Sequence, residues 1–540
     1  MCGIFAFLKN VGISNKELEL INLASLKIQH RGPDNSVSRM IDNNIYLMFH
    51  RLSINDLSEL GNQPINHPQD FNLTLICNGE IYNFKHLKEK FKLNTHSNSD
   101  CEVILHLYKL LGIEKTLLEL DGIFAFVLLD KSKNKIYLAR DPIGVRSMYI
   151  GYDDNSIIIS SELKSLNGVC DNLEQFKPGH YMELTNRQFN YSDAVYHMYY
   201  SKKYKTLHFN EELILKNIND KLNSVVKKQL VSDRKVGCLL SGGLDSSLIC
   251  SLVANQFENK RDLKTFSVGL EGSVDLLYAK KVADYIGTDH YELIVTEDEM
   301  INSIPNVIEA IESYDTTTVR ASTPMYLLSK YISETTDIKV VLSGEGSDEA
   351  SGSYLYFHQA PDQFEFKDEC ERLMSDLCFF DVLRCDKTIA SHGLEVRVPF
   401  LDKEFLDYYM SIDPKLKMPK TYSIEKYLLR KSFSNDKILP DEVLWRVKEA
   451  MSDGVSSKVK SWFTIIQEFV ESKISNHDFS KKVNTYKWNI PKTKESMYFR
   501  EIFDSLYPNG DKTIPYYWLP KWCGETNEPS ARVLDCYQPN

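Results

Sequence analysis

The stretch that most restricts what this chain can become is Val236-Gly-Cys-Leu-Leu-Ser-Gly-Gly-Leu-Asp-Ser-Ser-Leu248. Its apolar run, Val236 to Leu240, predicts a buried parallel strand. Ser241, Gly242 and Gly243 break that run, and Leu248-Ile-Cys-Ser-Leu-Val-Ala254 restarts it as the apolar face of a helix. A strand that turns through glycines into a helix presents unpaired N–H groups and the positive end of the helix dipole, which together make an anion site. No Gly-Lys-Ser/Thr follows, so the Walker arrangement is excluded. Asp245 in the turn repels a phosphate unless a cation bridges them, and is therefore a candidate Mg²⁺ ligand.

The pattern recurs in Lys339-Val-Val-Leu-Ser343-Gly344-Glu345-Gly346-Ser347-Asp348-Glu349, now with three carboxylates. Carboxylates facing phosphates again imply a cation, which Asp348 would share with Asp245. From about residue 205 apolar strands alternate with amphipathic helices, the pattern of a parallel sheet. Residues 263–270 read as a strand and 276–286 as a helix. Tyr314 to Pro324 reads as a polar, helix-initiating stretch that ends at its proline. His290 reads as a strand-edge histidine.

The first half has another character. It opens Met1-Cys2-Gly3-Ile4-Phe5. Loss of the initiator methionine leaves Cys2 with a thiol and an α-amine of pKa about 8 on one residue, a nucleophile carrying its own base. Leu18, Ile21, Leu23 or Ala24, Leu26 and Ile28 give an amphipathic helix that stops at His30-Arg31-Gly32-Pro33-Asp34. Strands are expected over 73–77, 123–129, 135–139 and 157–160. Asn78-Gly79 taken alone reads as a hairpin turn. His30 and His50 raise a Cys/His hydrolase, but an N-terminal cysteine does not need them.

At 540 residues the chain is too long for one core. The polar, tyrosine-rich stretch around 190–205 divides it into domains 2–195 and 205–540. A net charge of −11 argues against nucleic acid or an anionic membrane as partner. With no bilayer-length apolar run and no leader, a cytoplasmic protein is expected. The 11 cysteines are scattered, which suits reduced thiols. Cys370, Cys378 and Cys385 near His392 match no zinc module.

Met-Cys-Gly-Ile-Phe, Arg31-Gly-Pro-Asp34, Arg51-Leu-Ser-Ile54, Asn78-Gly-Glu-Ile-Tyr-Asn83 and Ser99-Asp-Cys-Glu102 stand in this order. The set resembles the class II (N-terminal nucleophile) glutamine amidotransferase domain as it occurs in glutamine-dependent asparagine synthetases. Ser241 to Ser247 resembles the pyrophosphate loop of enzymes that split ATP to AMP and pyrophosphate. The resemblance implies an α/β protein: an Ntn-type αββα sandwich, then a parallel-sheet ATP pyrophosphatase (PP-loop) domain.

It implies that Cys2 attacks the glutamine side-chain amide, with the Asn78 side chain and the Gly79 N–H as oxyanion hole. Arg51, Leu52, Ser53, Ile54, Asn55, Glu80 and Asp100 would hold glutamine. Leu240, Ser241, Gly242, Gly243, Asp245, Ser246, Val268, Ser343, Gly344 and Lys448 would hold ATP, with Val268 and Leu240 beside the adenine and Lys448 on the leaving pyrophosphate. Arg320 and Glu345 would serve the aspartyl adduct, Asp245 and Asp348 would bind Mg²⁺, and the enzyme would be a homodimer using L-glutamine, L-aspartate and ATP.

Ser147-Met148, Ala350 to Ser353 and Ala450-Met451 depart from the family pattern. Those at 350–353 leave open a relative acting on another carboxylate. A glutaminase whose second domain only binds nucleotide is the other alternative, against which Asp245, Glu345, Asp348 and Lys448 count together.

Overall fold

The computed structural model describes residues 1–185, 189–448, 454–457 and 460–530. The Ala450-Met451 departure lies outside them. The first half is built on two antiparallel six-stranded sheets. One runs in the order Asn172–Gln175, Tyr149–Tyr152, Ser156–Ser160, Gly3–Lys9, Ile45–Arg51, Asn35–Asp42. The other runs Val195–Met198, His180–Thr185, Lys135–Arg140, Gly122–Asp130, Asp70–Ile81, Ile65–His67.

Period-two alternation puts every second side chain between the sheets. Ile4, Ala6 and Leu8 meet Ala125, Val127 and Leu129 there. Phe5 and Phe7 point outward to Ile21, Ala24 and Ile28, carried by or just beyond the helix Asn15–Leu26. Phe124, Phe126 and Leu128 pack under Val103, Leu107 and Leu117 on the helices Glu102–Leu111 and Ile113–Glu119. Helix, sheet, sheet, helix is the expected αββα sandwich. These strands read as near-continuous apolar runs because both of their faces are covered.

Asn78-Gly79 is not a hairpin turn: it lies inside Asp70–Ile81, paired with Gly122–Asp130. A cross-strand partner for each residue, invisible in a dipeptide, outweighs the local turn preference.

The second half holds a five-stranded parallel sheet, ordered Asp289–Val295, Lys264–Leu270, Val236–Leu239, Val340–Leu342, Glu395–Arg397. The chain starts at the centre, builds outward on one side, then crosses to the other. That reversal lies between Val236–Leu239 and Val340–Leu342, and ligands of such sheets bind at the strand carboxyl ends beside it.

Two local expectations need correcting. The helix after the glycines begins at Leu244, not Leu248. The helix starting at Thr316 runs through Pro324 to Thr335. A proline removes the N–H that would bond the carbonyl four residues earlier. Here that carbonyl, on Arg320, accepts the indole N–H of Trp462 at 3.1 Å instead.

One cluster of buried apolar residues continues from Met1, Phe5 and Ile28 through Tyr149 and Leu163 to Leu248, Ile308 and Val382. No helix among the described residues is long and apolar enough to cross a membrane.

Two candidate active sites

Cys2 sits at the start of the strand Gly3–Lys9, at the edge of the sheet sandwich. Its amide donates to Asn78 Oδ1 at 3.0 Å, and its thiol donates to the Leu52 carbonyl at 3.6 Å. Fixing Oδ1 in this way aims the other end of the Asn78 amide: its Nδ2 is buried without a partner. A buried donor left open beside a nucleophile is what an oxyanion requires. Burial pushes the Cys2 thiol up to about 11 and the Met1 amine down to about 6.

Around them lie the residues expected to hold glutamine. Arg51 is held by the carbonyls of Ser58, at 2.7 Å, and Asp56, and by Asn62 Oδ1 at 2.9 Å. Asn55 donates to Glu80 at 2.6 Å. Asp100 accepts the Ile81 N–H at 2.6 Å, and burial raises its carboxyl to about 6. Burial, with Glu395 and Asp100 nearby, raises Glu80 well above the carboxylate range. The Ser53 N–H donates to Asp34 and its carbonyl accepts from Arg234.

The histidines do not form a hydrolase with Cys2. His50 bonds Ser36 at 2.7 Å and the Ser25 carbonyl at 2.9 Å, while His30 faces Glu162 at 3.1 Å. His290 bonds Thr265 and Ser267 on the neighbouring strand, as its edge position suggested.

The second site is a cavity of about 250 Å³ at the carboxyl ends of the parallel strands. Leu240, Ser241, Gly243, Asp245, Ser246, Val268, Ser343, Gly344, Glu345, Asp348 and Lys448 all line it, and so does Arg320. Gly242 shapes it from behind. Its φ is +74°, and a Cβ would meet the Ala279 nitrogen at 2.4 Å. The helix Leu244–Ala254 begins with no side-chain cap, leaving its first-turn N–H groups directed at the cavity. Gly344 lets the second loop lie against the first, since a Cβ there would meet the Asp245 carbonyl carbon and the Ser246 nitrogen at 2.8 Å.

Asp245 and Asp348 are brought together by a residue the sequence did not single out. Lys426 Nζ lies 2.5 Å from Asp245 Oδ2 and 2.5 Å from Asp348 Oδ1. Lys448 Nζ lies 2.7 Å from Asp348 Oδ2. Burial opposes ionisation of Asp348, but the two ammonium groups hold its carboxyl below the usual range. Ser353, one of the departures, donates to Asp348 at 2.5 Å. A lone lysine gives no spacing signal; only the fold shows that Lys426 crosses to both loops.

Two facing carboxylates beside an uncapped helix start would suit a hard cation that takes its remaining ligands from substrate. Among the described residues no group of three or more His, Cys, Asp or Glu is placed to hold a metal ion.

Glu345 receives Arg384 at 2.8 Å, and Arg384 also contacts Asp381 at 2.9 Å. Burial raises the Glu345 carboxyl against the pull of Arg384. Arg320 is not open to the cavity as a simple clamp. Glu495 takes its Nε and one terminal nitrogen at 2.7 and 2.5 Å, and Glu528 takes both terminal nitrogens at 2.5 and 3.0 Å.

One strand joins the two sites. The Arg397 guanidinium reaches Glu80 at 3.3 Å, while the Arg397 carbonyl accepts the Ser343 N–H at 2.9 Å. Leu394, just before the strand, accepts from the Met1 amine at 3.4 Å.

A family model described as a glutamine amidotransferase domain matches residues 1–203, and one described as asparagine synthase matches 217–371 and 362–525. The protein named "Asparagine synthetase [glutamine-hydrolyzing]" in Gallus gallus is 44% identical over 566 residues, covering 100% of this chain and 99% of its own. Proteins of the same name in Pongo abelii and Rattus norvegicus are 43% and 42% identical at the same coverage.

Proposed function

The chain belongs to the glutamine-hydrolysing asparagine synthetases, and we propose that it divides their reaction between domains 2–195 and 205–540. It hydrolyses glutamine to glutamate and ammonia, activates aspartate with ATP, and transfers the ammonia to give asparagine, AMP and pyrophosphate.

In the first domain, loss of Met1 would place the α-amine on Cys2, where it takes the thiol proton as sulfur attacks the glutamine amide carbon. The oxyanion is met by Asn78 Nδ2, the open donor that carries this assignment, and by the Gly79 N–H. The α-ammonium gives that proton to the amide nitrogen, which leaves as ammonia, and water releases glutamate from the thioester. Arg51 would pair with the α-carboxylate of glutamine, and Asp100 and Glu80 with its ammonium. The Leu52–Asn55 segment forms the adjoining wall.

In the second domain, Ser241 to Ser246 and Ser343-Gly344 cradle the phosphates, with Leu240 and Val268 beside the adenine. The aspartate β-carboxylate attacks the α-phosphorus, and pyrophosphate departs towards Lys448. Asp245 and Asp348 would hold Mg²⁺, which neutralises phosphate charge. Ammonia then attacks the acyl carbon and AMP leaves. Glu345, made a stronger base by the burial that raises its carboxyl, takes the proton that the attacking ammonia sheds. The single strand contacting both sites supports an internal route for ammonia. We also propose Mg²⁺ dependence, a homodimer and a cytoplasmic location, on family membership and on the absence of a bilayer-length helix among the described residues.

The test is product balance. Purified protein given glutamine, aspartate, ATP and Mg²⁺ should release asparagine, glutamate, AMP and pyrophosphate in equal amounts. Glutamate alone, with ATP untouched, would refute it.

A further inference from the structure

Residues 514–530 carry no motif, yet they lie across the mouth of the second cavity, where Trp518, Pro520, Pro529 and Ser530 form part of its lining. Three kinds of contact hold this strap down. Tyr516 donates to Asp376 at 2.6 Å and accepts from Arg372 at 2.5 Å. Trp518 packs on Tyr354 and Tyr356 with ring centres 6.5 and 6.2 Å apart, and Trp522 packs on Tyr356 and Phe357 at 6.0 and 5.9 Å. At the far end Glu528 grips Arg320, and Gln467 steadies the Glu528 carboxylate at 2.7 Å.

The Glu528 contact has the geometry of an anchor. Arg320 is 2% exposed, and its inner edge is already matched to Glu495. A guanidinium has five N–H donors in one plane. With Glu495 alone the outer edge would face the cavity and bind any anion entering it. Glu528 takes that edge and fixes the plane, and in doing so lays the strap over the opening.

The strap's partners also say which end it closes. They include 316 and 320, 354–357, 365–380 and 467, and Tyr354 itself donates to Glu349 at 2.5 Å. Arg384, which holds Glu345, reaches the sulfur of Met325 on the Arg320 helix at 3.7 Å. None of these partners belongs to the Ser241–Ser246 loop or to Val268, where the nucleotide is proposed to lie.

We propose that residues 514–530 form the outer wall of the aspartate pocket, and that Glu528 is a positioning residue that seats this wall through Arg320. This rests on the second cavity being the aspartate-activating site. The role is positioning because Glu528 acts through Arg320 and needs no contact with a reacting atom.

The test uses the full chain with Glu528→Gln, Glu528→Asp, and a chain ending at Pro515. Ammonium supplies the nitrogen, so synthesis is read without the glutaminase step, and glutaminase activity serves separately as a control for folding. Glu528→Gln should raise KM for aspartate about tenfold with a smaller change in kcat. KM for ATP and the glutaminase rate should not move, and Glu528→Asp should recover most of the loss. The shortened chain should match or exceed the Glu528→Gln defect. An unchanged KM for aspartate in Glu528→Gln and the shortened chain would overturn the proposal. So would a lowered one, which would mean that the strap obstructs the pocket instead of building it. If the cavity were not the aspartate site, the unaltered protein would make no asparagine from aspartate, ammonium and ATP, which separates that failure from this one.

Discussion

Burial opposes ionisation of the Cys2 thiol, which is why a base on the same residue matters. With Met1 attached, the amine is spent on the Leu394 carbonyl and burial keeps the thiol near 11. Cys2→Ala should therefore abolish glutamine-driven synthesis and leave ammonium-driven synthesis intact, measured as asparagine formed from each donor. Asp100 gives a pH signature. An acid whose pKa is raised stays neutral below the shifted value, so its attraction for the glutamine ammonium is present above about 6 and lost as pH falls through it. KM for glutamine should rise on that descent, and Asp100→Asn should have a high KM that no longer varies across it. An invariant KM in the unaltered enzyme would remove Asp100 from the ammonium site. Residues of this kind were legible because their chemistry depends on residue type within a recognisable run. Lys426 and Glu528 were not: each is a charged residue outside any motif, with partners 78 and 181 positions away for Lys426 and 61 and 208 for Glu528.

At the scale of elements, the strands were readable where both faces are buried, since apolar content then needs no periodicity to interpret. The turns were readable where glycine is forced. Gly242 has both a positive φ and a neighbour too close for a side chain, and Gly344 brings the second loop onto the first. Gly344→Ala should push Asp348 away from Asp245 by a fraction of the added methyl. Displacements of that order in a catalytic array cost about 10²-fold. Synthesis from ammonium should fall by about that factor while glutaminase activity is unchanged, because Gly344 and the Asp245 turn it packs on line the second cavity. Equal loss of both activities would point to misfolding instead. The helix through Pro324 could not be read, because the indole that satisfies the orphaned Arg320 carbonyl comes from residue 462. A proline's local penalty is visible in sequence, whereas its compensation is tertiary.

For the whole molecule the decisive feature is the charged seam between the halves. Arg31 bonds Asp386 at 2.9 Å and Glu162 at 2.7 Å, Arg146 bonds Asp386 at 3.2 Å, and Ser147 donates to it at 3.1 Å, with all four charged side chains fully buried. Although burial opposes it, Arg31 and Arg146 hold the Asp386 carboxyl below its usual range. Near it, Lys387 pairs with Glu312, whose carboxylate also accepts the Leu163 and Lys164 N–H groups at 2.7 Å. Such a seam gains little over a well-packed apolar one, but removing one member strands the others and costs about 3–5 kcal/mol. It also fixes how the strand Glu395–Arg397 meets the Cys2 site, since Arg146 reaches Glu395 at 3.3 Å. Asp386→Asn preserves shape and removes the charge. It should lower stability to denaturant by about that amount, leave the initial glutaminase rate intact, and drop the yield of asparagine per glutamate below one as ammonia escapes at the loosened seam. Added ammonium should restore synthesis. If the yield stays at one while stability falls, the seam holds the halves together without guiding ammonia.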